Sequence, residues 1–325
     1  MTASPPAPPS AAPGDAAREQ RLGVIAGVAA YGLWGTFPIY FHLLAPTGAV
    51  EILCHRILWS LVVMAGVLLW RRDGGWIRPL LRRPRQLAEL TLAATLIAVN
   101  WGLYVWAVEQ DRVVDAALGY FINPLVTVML GVIVLGERLR RLQWIAVGLG
   151  AAAVVVITVG YGQVPYIALT LAMSFAGYGY LKKRVTLTPA QSLGAETAIL
   201  APAAAIAMVV LAGSEGLEFG NDPGLSLLLA TTGVVTAVPL VLFAASARRI
   251  PLTMLGLLQY LTPTLQFLCG VFIFDESMPA ERWAGFALVW VALMCMSFDA
   301  VRQLRANAAL QESDEAVAAA TPELG

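Results

Sequence analysis

The stretch EILCHRILWS (51–60) places a carboxylate, an imidazole and a guanidinium inside an otherwise apolar run. Glu51 and His55 are four residues apart and share a helical face with Trp59, while Arg56 is rotated from His55 by about 100°. A central Arg or Asp in lipid costs on the order of 2.5–3.5 kcal/mol, so such groups must face a cavity or a partner. Two readings follow. The three residues form an anion-binding or proton-coupling cluster, or Arg56 makes a structural ion pair with Glu51 or with another helix. A second polar set is duplicated: Tyr120, Asn123 and Thr127 correspond to Gln259, Thr262 and Gln266, beside Pro124 and Pro263. Each proline removes a backbone donor and frees a carbonyl one turn earlier. That combination suits a cavity near mid-membrane, or hydrogen bonding between helices. Asn100 adds an amide at similar depth, next to Trp101 and Tyr104. The expected substrate-binding set is therefore Glu51, His55, Arg56, Asn100, Tyr104, Tyr120, Asn123, Gln259 and Gln266. Trp34, Trp101, Trp106, Tyr178 and Tyr180 suit either stacking on a planar solute or anchoring at the membrane interface.

The elements that must hold these groups are long apolar helices. The chain has 325 residues, 58% hydrophobic and 13% charged, with a mean hydropathy of +0.73. Soluble domains average about 25% charged, so the excess belongs in a bilayer. A span needs about 20 apolar residues. Ten stretches qualify, at 22–44, 49–70, 87–108, 113–135, 143–160, 164–181, 194–213, 226–247, 252–274 and 280–302. Their continuous apolar pattern lacks the alternation of a membrane barrel. Of the 21 basic residues, 18 lie before span 1 or after spans 2, 4, 6, 8 and 10. The opposite loops hold only Arg112 and Arg282. Basic loops stay inside, so a bacterial inner-membrane protein with both termini cytoplasmic is expected. The Pro/Ala-rich residues 1–20 and the Ala-rich, acidic residues 303–325 read as disordered tails.

Shifting the chain by 139 residues aligns 98–144 with 237–283 without a gap. Pro124 then meets Pro263, Gly131 meets Gly270, Glu137 meets Glu276 and Trp144 meets Trp283, among nine identities in 47 positions. The loop charges are exchanged between copies: Glu109-Gln110 correspond to Arg248-Arg249, and Arg138, Arg140 and Arg141 to Ser277, Pro279 and Ala280. Five spans per copy make the second copy inverted, the design of secondary transporters. The expected architecture is an all-α transmembrane ten-helix bundle, with repeats at 21–161 and 162–302. Glu137 and Glu276, each at a span end, suit capping of a following helix. The run GLGAAA (148–153) suits close helix packing within the bundle, or a homodimer seam.

The segments YGLWGTFPIYF (31–41), EILCHRILWS (51–60), LGYFINPLVTVMLGVIVLGERLRRLQW (118–144) and TAVPLVLFAASARRIPLTMLGLLQYLTP (236–263) resemble the RarD proteins. These are a branch of the EamA family in the drug/metabolite transporter superfamily. The resemblance runs over 22–302 and implies a ten-helix inverted-repeat fold with export or permease activity. It carries no set of functional residues onto this chain.

The functional expectation is a secondary-active transporter of a small organic solute, drug or metabolite, working by alternating access. The sequence has no G-x-x-x-x-G-K-[ST] loop and only two lysines, Lys182 and Lys183, which excludes an ATP-driven pump within this chain. The alternative is an integral-membrane enzyme or assembly partner. HExxH and GxSxG are absent, and His42 and His55 are not spaced as metal ligands. Cys54, Cys269 and Cys295 read as apolar packing residues. The expected partners are the solute, a coupling proton and the lipid bilayer, with neither nucleic acid nor a cofactor.

Overall fold

The computed structural model describes residues 13–136, 138–214 and 216–320. In chain order its helices are α1 (Pro13–Gly35), α2 (Phe37–His42), α3 (Ala49–Trp70), α4 (Ile77–Leu81), α5 (Pro84–Glu109), α6 (Val113–Leu135) and α7 (Arg141–Tyr161). They continue with α8 (Tyr166–Lys182), α9 (Pro189–Ser214), α10 (Pro223–Ala247), α11 (Leu252–Leu258), α12 (Leu261–Phe272) and α13 (Ala280–Ala320). No strand occurs among the described residues.

Nine stretches of described helix are long and apolar enough to cross a membrane. The stretch expected as the sixth span is α8, whose 17 residues cover about 26 Å at 1.5 Å per residue. Two expected spans are broken. Residues 22–44 become α1 and α2 with a joint at Thr36, and 252–274 become α11 and α12 with a joint at Gln259–Tyr260. A proline within one turn downstream weakens the helix at both joints. Pro38 cannot donate to the Trp34 carbonyl, nor Pro263 to that of Gln259, so each helix loses a bond one turn upstream. Pro124 removes the equivalent bond in α6, yet that helix stays continuous. The stretch expected as a tail from 303 is helical to Ala320, and residues 13–20 already belong to α1. Alanine, glutamine and glutamate in these ends are strong helix formers. Residues 1–12 and 321–325 lie outside the described residues, as does Glu137.

Helix ends follow local chemistry. The Asp222 side chain accepts the Leu225 N–H at the start of α10, with Pro223 in the first turn. Gly136 closes α6 at φ +68°, a left-handed conformation that glycine adopts without strain.

α3 packs on α9 and α10, α6 on α8 and α12, α1 on α10 and α12, α5 on α8, and α7 on α13. Small residues permit the closest crossings. A Cβ on Gly233 of α10 would come within 2.4 Å of the Trp59 backbone of α3. Gly150, in the small-residue run of α7, packs on Leu125 of α6, so part of that run serves the bundle itself. Side chains such as Leu69 and Trp70 (78% and 84% exposed) point outward, as a lipid-facing surface requires. The central apolar cluster joins Phe37 and Phe41 of α2, Ile52 of α3, Tyr104 and Val105 of α5 and Leu229 of α10.

Candidate solute-binding site

Arg56 sits in the middle of that cluster and is 4% exposed. Its guanidinium centre lies 4.1 Å from the Trp101 ring centroid, 5.4 Å from Phe41 and 5.6 Å from Phe37. Phe37 and Phe41 are four apart on α2, so both rings project from one face toward α3. Arg56 Nε–H donates to Thr236 Oγ1 of α10 at 3.0 Å. Tyr40, Tyr104 and Tyr120 have hydroxyls within electrostatic range of the same charge. Among the described residues, no carboxylate lies within 4.0 Å of it. Cation–π contacts at desolvated sites are worth about 2 kcal/mol, comparable with the insertion cost of the charge. The aromatic box can therefore hold a cation in the bundle while leaving it without a counter-ion.

Glu51 is not that counter-ion. Its two oxygens accept the backbone N–H groups of Glu218 (3.1 Å) and Phe219 (3.0 Å), which tie the α9–α10 loop to the start of α3. His55 lies 3.7 Å from Glu51, too long for a hydrogen bond, and its ring rests on Phe219 with centroids 4.6 Å apart. His55 Nδ1 accepts the Trp59 indole N–H at 3.2 Å. The three polar residues of span 2 thus divide: Glu51 and His55 fasten a loop, while Arg56 points into the bundle. The ion pair of Arg56 with Glu51 that the sequence allowed does not form.

Asn100, Tyr104 and Tyr120 meet beside Arg56. Tyr120 O–H donates to Asn100 Oδ1 at 3.0 Å, and Asn100 Nδ2 donates to the Leu171 carbonyl and Ser174 Oγ of α8, each at 3.0 Å. The Tyr104 and Tyr120 rings are 5.8 Å apart. The Tyr104 hydroxyl is buried and finds no hydrogen-bond partner. Asn123 donates to the Ala172 carbonyl at 3.1 Å, a bond between α6 and α8. Gln266 donates to the Trp34 carbonyl at 3.3 Å, the acceptor that Pro38 leaves open, and its own carbonyl oxygen is buried without a partner. Thr262 serves the neighbouring Tyr31 carbonyl at 2.8 Å. Gln259 is exposed at the α11–α12 joint, and no described contact joins it to the Arg56 group.

Residues outside the expected set complete the picture. Tyr40 O–H bonds the Leu228 carbonyl (2.8 Å) and Thr231 (3.0 Å), and with Thr236 brings α10 to the box. Their signal was the set of hydroxyls in TTGVVT (231–236) within an apolar run and the polar tip within FPIYF. Glu196 of α9 is 1% exposed and receives Lys182 Nζ at 2.7 Å, Ser192 Oγ at 2.8 Å and Tyr178 O–H at 3.2 Å. A lone carboxylate in QSLGAETAIL was the sequence clue to it. At the other end of the bundle Glu276 accepts the Val113 and Val114 N–H groups at the start of α6, and Arg282 bridges toward Glu276 (3.8 Å) and Asp115 (3.1 Å). Glu276 thus caps a helix, though one distant in sequence. Burial pushes its carboxyl up to about 7, against the pull of the two backbone donors and Arg282.

The EamA-like transporter family matches residues 21–159. Protein RarD of Streptomyces exfoliatus is 52% identical over 308 residues, covering 94% of this chain and 98% of its own. Protein RarD of Escherichia coli (strain K12) is 42% identical over 286 residues, 88% of this chain and 97% of its own. A solved crystal structure, 18% identical, superposes with a TM-score of 0.56 over 84% of this chain and 96% of its own, a likeness of fold alone. With its apolar helices and this identity over nearly its whole length, the chain is a multi-pass membrane protein that belongs to the RarD group of the EamA-like transporter family.

Proposed function

We propose that the chain is a secondary-active transporter of a small organic solute, working by alternating access around Arg56. The observation that carries this reading is a buried guanidinium held by aromatic rings where α2, α3, α5 and α10 meet, with no carboxylate beside it among the described residues. A membrane protein keeps an unneutralised charge at such a place for something that arrives there. The site is closed, since Arg56 is 4% exposed, so loading and release require the helices to part on one face at a time.

The ten-helix inverted repeat, with copies at 21–161 and 162–302, is part of the proposal. In it α1–α2 and α11–α12 each form one span, and α8 is the sixth span, added to the nine longer ones. Support comes from the pairing of helices at matching positions of the two copies: α3 with α9, α6 with α12, and α7 with α13. The crossed pairs also match, α1 with α10 and α8 with α5. Both termini are cytoplasmic in the inner membrane by the distribution of arginines. A coupling proton would use a carboxylate that changes surroundings between the two states, and Glu196, the most deeply buried one described, is the residue we assign to it. Transport is favoured over a membrane enzyme by the transporter family to which the chain belongs.

The test is labelling of single cysteines by a membrane-impermeant thiol reagent, in a background with Cys54, Cys269 and Cys295 replaced by alanine. Tyr40→Cys and Asn100→Cys should react from a given face at a rate that added solute changes. Failure of both to react from either face under any condition would exclude a solute pathway here.

A further inference from the structure

We infer that the solute is a small organic anion, whose carboxylate or phosphate oxygens bind the free edge of the Arg56 guanidinium. This rests on the transporter reading above and names the chemistry of its cargo. A guanidinium has five N–H donors in one plane. One, Nε–H, is given to Thr236, and no described residue accepts any of the other four. The aromatic contacts do not satisfy them. Rings engage the π-face of the ion, as Trp101 does at 4.1 Å, and supply no in-plane acceptor. What remains unfilled is a fork of donors, the pattern that a planar or tetrahedral oxyanion meets with two parallel bonds.

A second orphan points the same way. The Tyr104 side chain is 2% exposed, its hydroxyl has no hydrogen-bond partner, and it lies within electrostatic range of Arg56. Other buried groups also lack a partner, among them His55 Nε2 and the Gln266 carbonyl oxygen, but Tyr104 is the one placed beside the guanidinium. A phenol beside a guanidinium offers one more donor to the same acceptor. The nearest carboxylate in sequence, Glu51, is held by two backbone N–H groups of the α9–α10 loop and cannot serve. Around the charge the walls are apolar and aromatic, with Phe41, Tyr104 and Tyr120 in edge-on or tilted contact. A purely inorganic ion would leave those walls unused. Once the helices part, an anion with an aromatic or aliphatic body would meet both, its charge on Arg56 and its body against the rings.

The experiment uses the purified full-length chain and four probes of one shape: benzoate, phenyl phosphate, benzamide and benzylammonium, with inorganic phosphate as a fifth. Thermal stability is titrated against each. Benzoate or phenyl phosphate should stabilise the protein, and which of the two does so distinguishes a carboxylate from a phosphate cargo. Benzamide and benzylammonium should do nothing. Arg56→Gln should weaken the stabilising probe at least about tenfold, the loss expected for a charge-assisted hydrogen-bonded pair, and Arg56→Lys should weaken it less. If Arg56→Gln does not fold, Tyr104→Phe and Arg56→Lys carry the comparison, each with weaker anion binding expected. Equal stabilisation by benzamide, stabilisation by inorganic phosphate alone, no effect of either organic anion, or unchanged binding in the variants overturns the inference. The same probes in liposomes separate it from the transporter reading. Flux of neutral solutes but not of anions would overturn only the anion assignment, whereas no flux of any solute would overturn transport itself.

Discussion

Arg56 and Glu51 lie five residues apart in one helix and meet opposite fates. Glu51 is consumed by two backbone donors of a loop 167 and 168 residues away, so its charge has a local structural use. Arg56 has rings on its faces and open donors at its edge. The presence of costly polar groups in span 2, and of Asn100, Tyr104 and Tyr120 elsewhere, was legible from residue type and depth alone. Their division into a clamp and a box was not, because helical periodicity gives the face of a residue but not the helix opposite. Gln259 illustrates the same limit: it aligns with Tyr120 in the repeat yet is exposed at the α11–α12 joint, where α6 has no break. Glu276 yields a pH prediction. Its folded carboxyl titrates at about 7, above the ordinary 4.5, so the folded state binds more protons between those values. The stability this gives is complete below about pH 4.5 and is lost as pH rises through about 7. Thermal stability of the native chain should therefore fall from about pH 5 to pH 8 relative to Glu276→Gln. Parallel profiles would show that the carboxyl is not held up by burial.

Between elements, the crossing of α3 and α10 sets the distance from Arg56 to Thr236, and Gly233 makes that crossing close. A methyl group there would meet the Trp59 backbone at 2.4 Å, and backbone cannot swing aside as a side chain can. Gly233→Ala should destabilise the protein by about 1–3 kcal/mol, the usual cost of overpacking, and widen the box. Gly66→Ala, where nothing lies within 4 Å, should be neutral or slightly stabilising through helix propensity. Thermal unfolding of the two variants side by side checks this, and equal stability would refute the close crossing. Helices were the most legible level of the fold, because apolar length is what the bilayer selects. Their breaks at Thr36 and Gln259–Tyr260 were less so. Pro38, Pro124, Pro202, Pro239 and Pro263 all lie within expected spans, and only Pro38 and Pro263 stand beside a break, so residue type alone does not decide which helix is interrupted. α12 reaches across with Gln266 and Thr262 to the carbonyls near the α1–α2 joint, a pairing no local pattern announces.

For the molecule as a whole, two ionic networks flank the box. Lys182, Ser192 and Tyr178 surround Glu196 on one side, and Asp115, Arg282 and Glu276 join the start of α6 to the α12–α13 connection on the other. Under alternating access these are the contacts that would open in turn, with Arg56 fixed between them. Membership in a transporter family gives the class of activity, and the box around Arg56 is the place we propose for it. The most direct test loads liposomes containing the purified chain with a cell metabolite extract and follows the external medium by mass spectrometry. The account predicts time-dependent release of a discrete set of organic anions that protein-free liposomes retain, and loss of that release with Arg56→Gln. Release indistinguishable from protein-free liposomes, or unchanged by the substitution, would contradict it.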